Sequence, residues 1–94
     1  MTRKVTCVRK PDRYSTHEHI THIGGYGWEV SRETAISQIE NSNYVYYTTD
    51  PKTGDVALVH VVYETGKLPY LRTHADGQYN NNLLELAECP LYRA

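Results

Sequence analysis

Tyr44-Val45-Tyr46-Tyr47-Thr48-Thr49, then Asp50-Pro51-Lys52-Thr53-Gly54-Asp55, then Val56-Ala57-Leu58-Val59-His60-Val61-Val62-Tyr63: these twenty residues decide the fold. Two β-branched and aromatic runs flank six residues of turn chemistry, which reads as an antiparallel hairpin. In the second run apolar side chains take both parities, Val56, Leu58 and Val62 against Ala57, Val59 and Val61. That pattern predicts a central strand with neighbours on both edges. His60 interrupts one face.

Upstream of the hairpin, Ser31 is a good N-cap and Glu33 lies where the helix dipole favours a negative charge. Ala35, Ile36 and Ile39 recur at helical spacing, Val30 can staple onto Ala35, and Asn41-Ser42-Asn43 stop the pattern. The helix therefore spans about Arg32–Asn41. A helix so short is marginal alone in water, so its narrow apolar stripe must lie on a sheet. Further back, a first strand is expected from Arg3 to Lys10, stopped by Pro11-Asp12. His19–Ile23 reads as its hairpin partner. Gly24, Gly25 and Gly27 around Tyr26 then supply a sharp exit in which positive φ is open to the chain.

Downstream, Thr65-Gly66 turns the chain into Leu68-Pro69-Tyr70-Leu71-Arg72-Thr73, an expected edge strand because Pro69 cannot donate to a ladder. Ala75-Asp76-Gly77 is a further turn. Asn82-Leu83-Leu84-Glu85 has the form of a capping box opening one helical turn, and a C-terminal arm follows through Cys89-Pro90-Leu91. The expected fold class is α+β, one short helix packed on a mainly antiparallel sheet in the order β-β-α-β-β-β with a C-terminal arm. At 94 residues this is one domain, 1–94.

The formal net charge of −1 argues against non-specific wrapping of nucleic acid. The charge is unevenly spread, however. Residues 1–13 hold Arg3, Lys4, Arg9, Lys10 and Arg13 against Asp12 alone, and the remainder is acidic. This basic segment serves either as a charged strand edge or as a contact for an anionic partner. No apolar run approaches a membrane span and the Met-Thr-Arg-Lys start is unlike a secretory signal, so a soluble, cytoplasmic protein is expected. Cys7 and Cys89 lack a C-x-x-C spacing, and reduced thiols are the expectation for that compartment.

Trp28 before Ser31, the Ala35-Ile36-x-x-Ile39-Glu40 helix, Tyr70-Leu71-Arg72-Thr73, Asp76-Gly77, Asn82-Leu83-Leu84-x-Leu86 and Cys89-Pro90 form a set that runs through nearly the whole chain. The set resembles a family of small bacterial and phage-borne domains of unknown function, which closes on a Tyr-Leu-x-Thr, Asp-Gly, Asn-Leu-Leu-x-Leu, Cys-Pro signature. Ala87 stands where that family often has proline. The resemblance implies a shared fold and supplies no activity.

Four groups of residues bear on chemistry. His17, Glu18, His19 and His22 are the densest metal-competent cluster; on a strand His17 and His19 share a face while His22 points away. A metal site there needs a further ligand such as Cys7, so no metal and no cofactor is assigned and metal binding stands as a second alternative. Nine tyrosines without one phenylalanine imply half-wet aromatic positions. Tyr44 and Tyr46 lie on one strand face and Tyr47 on the other; with Arg72 or Arg9 nearby they suit a binding surface better than catalysis. His74 and Asp76, at a strand-to-turn junction, are read as structural, and Gly24-Gly25-x-Gly27 lacks the spacing and lysine of a phosphate loop.

The reading reached is a non-enzymatic intracellular binding module. Its sheet tyrosines, Arg72 and the basic residues of the first hairpin meet a partner protein, and the resemblance suggests a phage-borne or mobile-element inhibitor of a host complex. The alternative is nucleic-acid recognition through Arg3, Lys4, Arg9, Lys10 and Arg13 with tyrosines stacking on bases. Neither reading involves a membrane, and neither specifies an oligomeric state.

Overall fold

The computed structural model of the chain describes residues 1–11, 16–75, 78–80 and 82–89, and for residues 79 and 80 the backbone alone. They form one helix and nine short strands in two mainly antiparallel sheets, so the α+β class holds. The chain begins with β1 (Thr2–Lys4) and β2 (Cys7–Arg9). A 3-10 turn at His17–His19 leads into β3 (His22–Gly25), β4 (Trp28–Ser31) and α1 (Arg32–Asn41). The quoted hairpin is β5 (Val45–Thr49) and β6 (Val56–Val62), after which come β7 (Tyr70–Ala75), β8 (Gln78–Asn80) and β9 (Ala87–Glu88). The larger sheet has the order β1-β5-β6-β7-β8 and the smaller β4-β3-β2-β9.

The expected first strand, Arg3–Lys10, is broken in two at Val5-Thr6. Val5 still donates to the Tyr47 carbonyl of the larger sheet (2.8 Å), whereas the next amide, Thr6, donates to Gly24 in the smaller one (2.9 Å). One extended run thus feeds both sheets and forms the corner between them. Val5 and Val8 are fully buried there with Ile20, Ile23, Ala35, Tyr46, Leu71 and Leu83. As expected, β2 is hairpin-paired with the following strand; that strand is shifted to His22–Gly25 because His17–His19 coil into the 3-10 turn.

Local signals position α1 as anticipated. Ser31 Oγ accepts from the Thr34 amide (3.1 Å), and Asn43 takes a left-handed conformation (φ 56) just past the helix, beside amides that close on the Gln38 carbonyl. Ala35 is buried, with Ile36 and Ile39 packed against the same core. The Asp50 carboxylate accepts from the Lys52 and Thr53 amides and closes the β5–β6 turn.

Several expectations are corrected. Gly24 and Gly25 are strand residues selected by close packing. An added Cβ on Gly24 would lie 2.9 Å from Cys7 Sγ, and one on Gly25 would lie 2.5 Å from Trp28 Nε1. Of the three glycines around Tyr26 only Gly27, in the β3–β4 turn, has a positive φ (77). Strand β7 is not at the edge: Pro69 precedes it, and β8 pairs outside it. The Asp76-Gly77 turn lies outside the described residues. Asn82–Glu85 form a turn and not a helix, with Leu83 fully buried and its amide bonded to Thr73 Oγ1. The C-terminal arm contributes β9, which pairs in parallel with β2. The cysteines are not reduced thiols: Cys7 and Cys89 form a disulfide, their Cα atoms 4.8 Å apart, because β9 carries residue 89 alongside β2. No helix among the described residues is long and apolar enough to cross a membrane.

Candidate functional site

Strand alternation sorts the larger sheet into two faces. On β6, Ala57 and Val59 point into the core while Val56, Leu58 and His60 point out; on β5, Tyr46 and Thr48 point in while Val45, Tyr47 and Thr49 point out. Both edges of β6 are paired, as expected of a central strand, yet its outward face is open. Val56, Leu58 and Val45 keep 55 %, 43 % and 41 % of their surface exposed, over which no element of the described residues lies. Isolated exposed aliphatics are ordinary, but three converging on one sheet face make a patch.

Register gives this face its polar frame. Lys4, Tyr47, Leu58 and His74 stand in one cross-strand row from β1 to β7, and His60 opposes Arg72 in the next. The His60 and His74 rings meet edge to face with centroids 5.0 Å apart. Among the described strand residues on this side none is Asp or Glu. Among the described strand residues of this face Lys4 and Arg72 carry the formal charges, and Glu64, bonded to the Tyr70 hydroxyl, lies near enough to Arg72 for the guanidinium to lower its carboxyl.

Of the residues singled out from sequence, Tyr47, Arg72 and Lys4 are brought together here. The others are not. Tyr46 is only 1 % exposed, its hydroxyl donates to Gln38 Oε1, and burial raises its phenol above the ordinary value, so its ring is not presented to a partner. Tyr44 packs on the same core at a ring-centroid distance of 6.1 Å from Tyr46. The basic residue beside them is neither Arg72 nor Arg9. It is Arg3, whose guanidinium lies 5.0 Å from the Trp28 ring centroid and 5.4 Å from that of Tyr44. Arg9 reaches across β3 to grip Glu29 through two bonds (2.8 and 3.2 Å) and holds that carboxyl below its ordinary range. Lys10 donates to the Leu84 carbonyl (3.2 Å). The basic segment is therefore largely spent on internal contacts; Arg13 lies outside the described residues.

The histidine cluster is dispersed. His17 is buried with Nε2 unpartnered, His19 is exposed, and His22 stands on β3 bonded to Thr21 Oγ1 (3.0 Å). Cys7, the expected extra ligand, is in the disulfide. Among the described residues no three His, Cys, Asp or Glu side chains gather as a metal site would need. A shallow cleft of about 360 Å³ near Glu18, Arg32 and Lys67 has its charges matched internally: Lys67 bridges Glu18 (2.8 Å) and Glu64 (3.2 Å), and Arg32 donates to the Glu18 carbonyl (2.8 Å).

Sequence reasoning missed Leu58, His60 and His74 as surface residues. Apolar residues on both parities of β6 pointed to a central strand with neighbours on both edges and did not mark one face as open. The signal for an open face was His60, which falls on the same parity as Val56 and Leu58.

A family model described as "Protein of unknown function (DUF3892)" matches residues 4–87. No curated protein and no solved structure matches the chain.

Proposed function

The chain belongs to the DUF3892 family of proteins of unknown function, and on that premise we propose that it is a binding module, without catalytic chemistry of its own, that docks another protein on the open face of the five-stranded sheet. The observation that carries this reading is the exposed aliphatic patch of Val45, Val56 and Leu58, framed by Tyr47, Arg72 and the His60–His74 ring pair. Such a patch with a polar rim has the composition of a protein-binding surface. Nucleic-acid recognition through the basic N-terminal residues is the weaker reading, since Arg3, Arg9 and Lys10 are engaged within the fold.

The test compares affinity capture from nuclease-treated lysate by the intact chain and by its Leu58→Asp variant. A protein retained by the first and lost from the second supports the reading. Identical retention by both removes the open face as the docking surface.

A further inference from the structure

Strand β9 closes the smaller sheet on slender means. Its two residues, Ala87 and Glu88, are exposed, and the Cys89 amide that follows donates to the Val8 carbonyl (2.9 Å). Fixing three residues in an extended conformation costs more chain entropy than a few ladder bonds at an exposed edge return. The strand is therefore held by its covalent tie, the Cys7–Cys89 disulfide, which keeps it at high effective concentration beside β2. The rest of the fold is fixed without that tie. Among the described residues, the apolar cluster around Val8, Ile23 and Leu71 includes neither cysteine, and β2, β3 and β4 pair with one another independently of β9. The chain leading into β9 is anchored as far as Leu86. Leu83 is fully buried with its amide on Thr73 Oγ1 (3.2 Å), Leu84 and Leu86 pack against the core, and Lys10 holds the Leu84 carbonyl (3.2 Å). Of the described residues, only 87–89 are left to lift.

The sulfur pair occupies a slot that suits the bonded state. A Cβ on Gly24 would lie 2.9 Å from Cys7 Sγ, 3.0 Å from Cys89 Sγ and 3.1 Å from the Trp28 carbonyl oxygen, so the sulfurs fill the space that the glycine leaves. Unbonded sulfur atoms stand further apart than bonded ones, by the difference between a van der Waals contact and a covalent bond. Reduction must therefore part them. Cys7 is fixed, because β2 is paired with β3 and Val8 is in the core, so the atom that gives way is Cys89 Sγ at the end of the two-residue strand.

We propose that the Cys7–Cys89 disulfide is a redox latch on the smaller sheet: oxidised, it holds β9 on β2; opened by a dithiol reductant, it lets residues 87–89 leave while the rest of the chain stays folded. Both cysteines are buried, so the reductant reaches them as the exposed strand lifts. One thiolate of the reductant attacks a sulfur of the pair and the S–S bond breaks, giving a mixed disulfide and one protein thiolate. The reductant's second thiol resolves the mixed disulfide. The reductant is thereby oxidised by two electrons to its own disulfide, and its two protons end on Cys7 and Cys89. Departure of β9 makes β2 the edge of the smaller sheet and takes from the Val8 carbonyl its bond to the Cys89 amide.

The test is amide hydrogen exchange, read by NMR on the whole chain without denaturant, in the oxidised protein and in dithiothreitol, itself a dithiol. Alkylation of both cysteines confirms that the bond has opened. The amide at position 89 is expected to exchange at least about tenfold faster after reduction, while β5, β6 and β7 keep their protection. Reoxidation is expected to restore it. The paired Cys7→Ser and Cys89→Ser variant is expected to show the open pattern with or without dithiothreitol. Protection at position 89 that survives reduction, or persists in the variant, overturns the latch, since the strand then docks without its bond. Loss of protection throughout the chain overturns it too and makes the bond a staple of the whole fold. So does a bond that dithiothreitol leaves intact in the folded protein, or a strand that does not dock again on reoxidation.

Discussion

Thr48 buries a hydroxyl on the core side of β5 without a hydrogen-bond partner. An unsatisfied buried hydroxyl costs its desolvation, about 1–3 kcal/mol, and valine has the same shape without that polar atom. Thr48→Val is therefore expected to leave stability unchanged or to raise it by about 1 kcal/mol, read as a higher urea midpoint at constant slope. His17 behaves differently because it titrates. Burial first, and then the charges of Arg72 and Lys10, hold its imidazole below the ordinary value of 6.5. The folded protein thus keeps it neutral at pH values where the unfolded chain already takes up a proton. Stability contributed by the neutral ring is complete above about 6.5 and declines as pH falls toward the lowered folded value. Urea midpoints measured between about pH 7.5 and 5.5 should fall with pH, and the slope should flatten in His17→Gln. The Glu29 carboxylate, held low by Arg9, adds a separate loss only at more acidic pH, below its ordinary 4.5.

At the scale of elements, the β3–β4 hairpin depends on a glycine that no turn requires. Gly25 is paired with Trp28, and a methyl group there would lie 2.5 Å from the Trp28 ring nitrogen and 2.6 Å from the Lys4 carbonyl. The ring can yield a little, but the carbonyl belongs to β1 and cannot. Gly25→Ala is expected to cost about 1–3 kcal/mol, with a shift in the emission of Trp28. Contacts of this kind are invisible in the sequence, where Gly24-Gly25 looks like the end of a strand. Helix α1 and the β5–β6 hairpin are legible because their determinants lie within a few residues: Ser31 caps, Ala35, Ile36 and Ile39 repeat, Asp50 folds its own turn. Strands β4, β8 and β9 are not: β4 and β8 are short hairpin partners of the strands just before them, without a strong alternating pattern of their own, and the two residues of β9 are defined by β2 at the other end of the chain. The same limit governs the site. Parity correctly separates Tyr47 from Tyr44 and Tyr46, but which face meets solvent depends on where α1 packs, and that is a tertiary fact.

For the whole molecule, the bond between Cys7 and Cys89 closes a loop across 82 positions of a 94-residue chain. Loop-closure entropy for a ring of that size corresponds to about 4–5 kcal/mol of stabilisation, acting mainly on the unfolded ensemble. Against the roughly 5–15 kcal/mol typical of a domain, this is a large share. The paired Cys7→Ser and Cys89→Ser variant, or the reduced protein, is expected to lose about that amount in chemical denaturation, and β9, only two residues long, should lose amide protection first. The bond also changes what the chain does under tension. Tethered at residues 1 and 94 and pulled, a fully unravelled chain reaches about 320 Å, whereas with the ends cross-linked only the few residues outside the ring pay out, about 40 Å. In an optical trap the oxidised protein is thus a nearly inextensible knot of chain, and reductant added under load should release it in a single long step.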